Sequence, residues 1–257
     1  MMLKQRTVLI TGGTSGIGLE MARQLLGRGN TVIVTGRAQD KLEAVQLALP
    51  GIHTFRSDAS DPEAIETLHQ DVLARFPALD TLVNNAGVMR NLRLGQSRDL
   101  RNVTREIEVG LNGPMWMVEQ FLPHLRQQKS ALIVNVSSGL AFVPFPAAPI
   151  YCAAKAALHA YTLCLRAQLA GTGITVVELA PPGVETPLFR GEFEKEMKGE
   201  KGMDPAQLVR RAIAGIEAGK AEIRPGLANV LKIASRVAPG FMFKQMIKLS
   251  QLGAKAA

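Results

Sequence analysis

Residues 11–18 read Thr-Gly-Gly-Thr-Ser-Gly-Ile-Gly, directly after the apolar run Thr7–Thr11 and directly before a helical pattern that opens at Ile17. A strand, a glycine-rich turn and a helix in that order leave few folds open. One glycine permits the tight turn, a second lets backbone approach a pyrophosphate, and a third allows helix and strand to pack closely. The helix N-terminus then presents unpaired N–H groups and the positive end of a dipole. A glycine cluster alone is often only a turn; its place at the first strand–helix junction is what points to a dinucleotide phosphate site. Gly12, Thr14, Ser15, Gly16, Ile17 and Gly18 are its candidate residues.

The rest of the chain continues the alternation. Thr7–Thr11, Thr31–Thr35, His53–Ser57, Thr81–Asn84, Leu132–Val136 and Thr175–Leu179 read as short strands buried on both faces. Ile17–Arg28, Asp40–Leu49, Pro62–Arg75, Asp99–Arg126, Ala153–Ala170 and Pro205–Ala218 read as helices, several opened by Asp or Pro. The pattern predicts an α/β fold, a single doubly wound domain over residues 1–257 with a mostly parallel sheet and helices on both faces. Alternation stops near Pro181. A polar, mobile-looking stretch (Leu188–Met203) follows, and residues from about 188 to 257 are expected to form a substrate lid and a basic C-terminal tail.

With 47% apolar and 20% charged residues the chain can bury a large core. Met1–Arg6 runs straight into the first strand, leaving no room for a signal peptide, and no run is long enough to span a bilayer. Cys152 and Cys164 lie on one predicted helix, too far apart to pair. A cytoplasmic protein is expected. The net charge of +8 is uneven: Ile223–Ala257 holds no acid but six basic residues. Few aromatics lie among them and no zinc-finger or basic-zipper spacing occurs, so no nucleic-acid partner is expected. His53, His69, His124 and His159 show no metal-ligand spacing, and packing is the expected role of His159.

Further motifs fall at the strand ends. Asp58 follows the third strand, Asn84-Asn85-Ala86-Gly87 closes the fourth, Ser137-Ser138 closes the fifth, and Tyr151-x-x-x-Lys155 opens the next helix. Pro182-Gly183-x-x-Thr186 follows the sixth strand. Together with Thr-Gly-x-x-x-Gly-x-Gly, these motifs resemble the classical short-chain dehydrogenases/reductases over about residues 5–190. The resemblance implies that Asp58 lies near the adenine, that Asn85, Ala86 and Gly87 border the cofactor, and that Pro182, Gly183 and Thr186 hold the nicotinamide carboxamide. It also implies that Ser138 bonds the substrate oxygen and that Lys155 holds the ribose hydroxyls. Ile174–Leu188 and Glu222-Ile223-Arg224-Pro225-Gly226 look like a bacterial branch grouped with a teichoic-acid D-alanylation (DltE-like) oxidoreductase, which fixes no substrate.

The Tyr–Lys pair carries its own logic. Spacing of four sets Tyr151 and Lys155 on one helix face. A nearby ammonium is expected to lower the phenol from its usual pKa of about 10, so that Tyr151 exchanges a proton while the nicotinamide exchanges a hydride. Catalytic Ser138, Tyr151 and Lys155 therefore predict a carbonyl–alcohol oxidoreductase, with Tyr151 and Lys155 also touching cofactor. One position departs: in Val109-Gly110-Leu111-Asn112-Gly113 the family's catalytic Asn falls at Gly110, and Asn112, two residues on, is expected on nearly the opposite helix face. Gly110 favours the alternative reading, a non-catalytic dinucleotide-binding redox sensor or scaffold.

Cofactor choice rests on Val34-Thr35-Gly36-Arg37. An NAD enzyme usually places an acid at the end of the second strand; here Gly36 stands there and Arg37 can pair with a 2′-phosphate, while Asp40 reads as a helix cap. NADP(H) is preferred, with NAD(H) the alternative. The apolar stretch Gly139–Ile150 either lines a pocket for an apolar part of a small-molecule substrate or packs on lid or partner. A homodimer or homotetramer is expected. Leu227–Gly253, with apolar residues at helical spacing and a break at Pro239-Gly240, reads first as a pocket cap or subunit interface and second as a surface in weak contact with anionic membrane.

Overall fold

The computed structural model describes residues 2–251, the side chain of Arg101 excepted. Strands β1 (Thr7–Ile10), β2 (Thr31–Gly36), β3 (His53–Arg56), β4 (Leu79–Asn84), β5 (Ala131–Val136), β6 (Ile174–Leu179) and β7 (Glu222–Ile223) form one sheet. Their order is β3-β2-β1-β4-β5-β6-β7, and every ladder is parallel. The order reverses between β1 and β4, so the loops after these two strands diverge to opposite sides and open a crevice.

Side chains alternate across the sheet and divide the core in two. On one face Val8, Ile10, Val32, Val34 and Val134 meet α1 (Gly16–Leu26), α2 (Gln39–Ala48) and α9 (Pro205–Glu217). On the other, Leu9, Ile33, Leu82 and Ile133 meet α3 (Pro62–Arg75), α6 (Gly113–Leu125) and α7 (Pro149–Gln168). Such double burial is why the inner strands read as continuous apolar runs. β3 is different. It is an edge strand whose residues are only half-buried or exposed, contrary to the expected burial on both faces.

Asp61 and Asp204 accept hydrogen bonds from N–H groups in the first turns of α3 and α9, each followed by Pro at the first helical position. Asp40 does not cap. α2 begins at Gln39, which places Asp40 inside the first turn, where its charge faces the positive helix end. β7, two residues long, was not distinguishable in the sequence from loop.

The long helix expected over Asp99–Arg126 is broken. It divides into α4 (Leu100–Val103), α5 (Arg105–Ile107), a π-helical turn at Glu108–Asn112, and α6. Pro114 has no N–H to offer the Gly110 carbonyl four residues back, and the Gly113 N–H instead bonds the Glu108 carbonyl five back.

A third apolar cluster roofs the strand ends. Val143, Phe145, Tyr151, Phe193, Met197 and Leu231 pack together. The polar stretch Leu188–Met203 therefore carries two buried apolar anchors, Phe193 and Met197, after the short α8 (Pro187–Arg190), and Met203 bonds the backbone of Gly183 and Glu185. The tail forms α10 (Leu227–Val237) and α11 (Pro239–Leu249), with the break at Ala238; Gly253 and Lys255 lie outside the described residues. No described helix is long and apolar enough to cross a membrane.

Candidate active site

The glycine turn is as tight and closely packed as its residues suggest. Gly12 has φ +65°, and a Cβ there would stand 2.8 Å from the Ala86 Cα across the crevice. Neither the conformation nor the space admits another residue. A Cβ on Gly18 would meet the Gly12 carbonyl oxygen at 2.4 Å, so Gly18 serves the close packing of α1 on the turn. Ser15 precedes α1 and forms no side-chain cap bond with its first N–H groups.

Asn85 ties the turn to β4. Its amide nitrogen donates to the Thr11 and Gly12 carbonyls, both at 3.0 Å, and the Thr11 hydroxyl oxygen accepts the N–H groups of Asn85 and Ala86 at 3.0 and 3.1 Å. Deeper, Asn84 donates to Asn135 and Asn135 to Thr162, each at 2.9 Å, joining β4, β5 and α7.

Every candidate residue but one lines a single cleft of about 750 Å³ at the C-terminal ends of the strands. Along the strand ends they run in sheet order: Asp58 after β3, Arg37 after β2, the Gly12–Ile17 turn after β1, Asn85, Ala86 and Gly87 after β4, Ser138 after β5, and Pro182, Gly183 and Thr186 after β6, with Tyr151 and Lys155 in α7. Gly18 is the exception, buried behind the turn. Asp58 is held by Arg105 at 3.0 Å and by the Ser60 hydroxyl at 2.7 Å. Burial pushes its carboxyl up, but the Ser60 and Arg105 contacts outweigh that and hold it below the usual range.

Tyr151 sits in the first turn of α7, which begins four residues before the expected helix. Lys155, one turn on, is 3% exposed; its Nζ donates to the Val136 carbonyl at 2.8 Å and lies 5.7 Å from the Tyr151 ring centre. Burial depresses the Lys155 ammonium to about 8. The expected lowering of the Tyr151 phenol is reversed: burial pushes it up to about 12, against a smaller opposing contribution from the Ser138 hydroxyl. Ser138 Oγ accepts the Leu140 N–H at 3.1 Å, which leaves its own proton to be donated.

Gly110 is buried in the π turn, which packs on α7; a Cβ there would meet only the Ala154 Cβ, at 3.8 Å. Asn112 does not line the cleft even with the widened turn. Gly139, Leu140 and Phe145 line the cleft, whereas Val143, Ala147 and Ala148 pack in the cluster with Phe193, Met197 and Leu231, so the stretch Gly139–Ile150 is divided between cleft lining and packing.

Three features escaped the sequence. Lys41 joins Arg37 in lining the cleft, four residues on and in the first turn of α2, a spacing that could have revealed it. Phe189, Phe193 and Met197, none of them singled out beforehand, make the cleft apolar beside Leu231, Met246 and Leu249 of the tail, which was expected first as a pocket cap or subunit interface. His159 is more than packing: besides its edge-on contact with Phe142 it meets the buried Glu178, which also accepts the Ser137 hydroxyl. Among the described residues no group of three or more His, Cys, Asp or Glu could hold a metal.

A cofactor of the dinucleotide type fits these residues. Lys155 is buried with a single hydrogen bond for three N–H donors, and a Cβ on Gly87 in the cleft wall would stand 4.0 Å from Nζ.

Residues 6–197 match the family model described as short chain dehydrogenase. The chain is 40% identical over 247 residues to the oxidoreductase DltE of Bacillus subtilis, covering 96% of this chain and 98% of that one. A short chain dehydrogenase from Burkholderia cenocepacia in complex with NADP superposes with a TM-score of 0.81 at 23% identity, covering 96% of this chain and 99% of that chain. A 3-ketoacyl-(acyl-carrier-protein) reductase from Brucella melitensis complexed with NADH superposes with a TM-score of 0.75 at 27% identity, covering 83% and 91%. The glycine turn, the tyrosine–lysine helix and the parallel sheet that joins them belong with these likenesses to one lineage: the chain is a member of the short-chain dehydrogenase/reductase family, an oxidoreductase similar to DltE.

Proposed function

We propose that this oxidoreductase uses NADP(H) to interconvert a carbonyl and an alcohol on a partly apolar small molecule, with Tyr151 as general acid and base. The observation that carries the reading is the convergence of Ser138, Tyr151 and Lys155 where the cleft passes from the glycine turn to the apolar end. The nicotinamide supplies or takes up the hydride when bound. In reduction, the Tyr151 phenol, protonated at neutral pH, gives its proton to the substrate oxygen, while the Ser138 hydroxyl donates a second hydrogen bond to that oxygen. The phenolate that remains is stabilised by the Lys155 ammonium beside it, and the apolar roof excludes water.

Arg37 and Lys41 support the choice of NADP(H). Both stand on the cleft wall past β2, where Gly36 offers no acid to the ribose. Solved relatives hold NADP in one case and NADH in another, so the fold itself does not choose. Gly110 keeps a second reading in view, a non-catalytic dinucleotide binder. Intact Ser138, Tyr151 and Lys155 favour the enzyme, because a binder has no use for a buried proton donor. We also infer a homodimer or homotetramer working in the cytoplasm, to be checked by light scattering and fractionation.

The test is a screen of aldehydes and ketones with NADPH, followed by loss of its absorbance, with Tyr151→Phe as control. Turnover should fall by about 10²- to 10⁴-fold in the variant with NADPH binding retained. Binding without turnover in the unaltered protein supports the second reading.

A further inference from the structure

Of the fourteen large apolar side chains exposed among the described residues, seven belong to α10 and α11. On α10 they are Leu227, Val230, Ile233 and Val237, spaced three or four apart and so one stripe, opposite the buried Ala228 and Leu231. On α11 they are Phe241, Phe243 and Ile247, interleaved with the exposed Lys244 and Lys248. The seven are 37–79% exposed. An apolar patch of this extent is not expected to face water unpartnered.

Charge decides what it faces. Arg236, Lys244 and Lys248 are exposed, and no acid occurs from Ile223 to the end of the chain. The two inner cations, Arg224 and Lys232, are already paired with Glu222. A second copy docked through α10 and α11 about a two-fold axis would set the cations of these helices against one another, because neither helix carries an acid. An anionic lipid surface takes both components at once, the apolar stripe into the acyl boundary and the cations at the headgroups.

The same two helices reach inward. Leu227 and Leu231 of α10, and Met246 and Leu249 flanking the outward Ile247 and Lys248 of α11, line the apolar end of the catalytic cleft. We propose that α10 and α11 dock on an anionic bilayer and form the port through which a lipid-dissolved carbonyl substrate reaches the cleft. The docking stands on the surface alone; the port rests on the carbonyl reading above.

Co-sedimentation of the full chain with phosphatidylcholine vesicles, with and without phosphatidylglycerol, tests the docking without any turnover. Binding should need the anionic lipid and weaken at about 0.5 M salt. Each basic residue near such a surface contributes about fivefold to partitioning, so Lys244→Glu with Lys248→Glu should lower it by at least about 25-fold. Ile233→Asp should also weaken binding, through the apolar stripe. A protein that stays in the supernatant with both vesicles overturns the proposal. So does light scattering that finds a dimer dissolved by Ile233→Asp, since the occupant is then a second copy. For the port, the lysine variant should lose reduction of hexadecanal held in anionic vesicles while keeping that of butanal in solution. Equal retention of both overturns the port, whereas inactivity of the unaltered protein on both counts against the carbonyl reading and leaves the docking result standing.

Discussion

Nδ1 of His159 lies 2.7 Å from one oxygen of Glu178, and the other oxygen accepts the Ser137 hydroxyl at 2.5 Å. Glu178 is 1% exposed on β6, and through these contacts it joins the end of β5 to α7 one turn beyond Lys155. A buried carboxylate persists only where it is paired. Glu178→Leu leaves the Ser137 hydroxyl and the His159 ring nitrogen without their partner and should destabilise by about 3 kcal/mol, whereas Glu178→Gln keeps an acceptor and should cost about 1 kcal/mol. Urea unfolding compares the two; a Leu variant as stable as the parent would show that the network contributes nothing.

Arg37 and Lys41 share a wall of the cleft with no acid at Gly36. Arg37→Ala should raise the dissociation constant for NADPH by about 10- to 100-fold, the loss of one charge-assisted pair, and leave NADH nearly unchanged. Fluorescence titration with both cofactors measures the ratio. Equal losses would remove Arg37 from the 2′ position.

How much of this was legible depended on whether the cause is local. The inner strands and the glycine turn are written in short stretches: β-branched apolar runs, and Gly12 at a position where φ is positive and Ala86 leaves no space. Tyr151 and Lys155 stand one turn apart by helix geometry alone. The raised phenol was not legible, because it follows from burial under Phe193, Met197 and Leu231, residues 42 to 80 positions later in the chain. The Glu178–His159 contact likewise crosses two elements. The π turn lies between these cases. Pro114 announces a missing N–H, but whether the helix breaks, kinks or widens is decided by its contacts with α7.

Gly110 has room for a side chain, since its nearest prospective contact is the Ala154 Cβ at 3.8 Å. Position 110 packs beside the residue that precedes Lys155. If proton return to the active site limits turnover, Gly110→Asn should raise kcat severalfold, by about 1 kcal/mol of barrier, with little change in cofactor affinity. Stopped-flow and steady-state rates separate that gain from any change in hydride transfer. An unchanged kcat in a folded variant would show that the proton returns without this residue.

Lys155 makes stability depend on pH in an unusual direction. Its ammonium is depressed by burial from 10.5 to about 8 in the folded chain. Below pH 8 both states carry the charge, and folding bears the full penalty of burying it. Between pH 8 and 10.5 the unfolded chain binds the proton more than the folded chain does, so stability rises with pH, by about 3 kcal/mol over the window. Tyr151 acts oppositely: its phenol is raised from 10.0 to about 12, the folded chain keeps a proton the unfolded chain has lost, and stability falls from pH 10 upward. Both groups together predict a maximum near pH 10 in their combined contribution. Lys155→Met removes the first effect alone. The variant should be the more stable protein at pH 7, because an apolar side chain replaces a buried charge, and its advantage should shrink steadily toward pH 10. Denaturant unfolding of the cofactor-free proteins across that range measures the difference. An advantage that stays constant from pH 7 to pH 10 would mean that Lys155 titrates alike in both states, and that the Val136 carbonyl and the surrounding cleft leave its ammonium undisturbed.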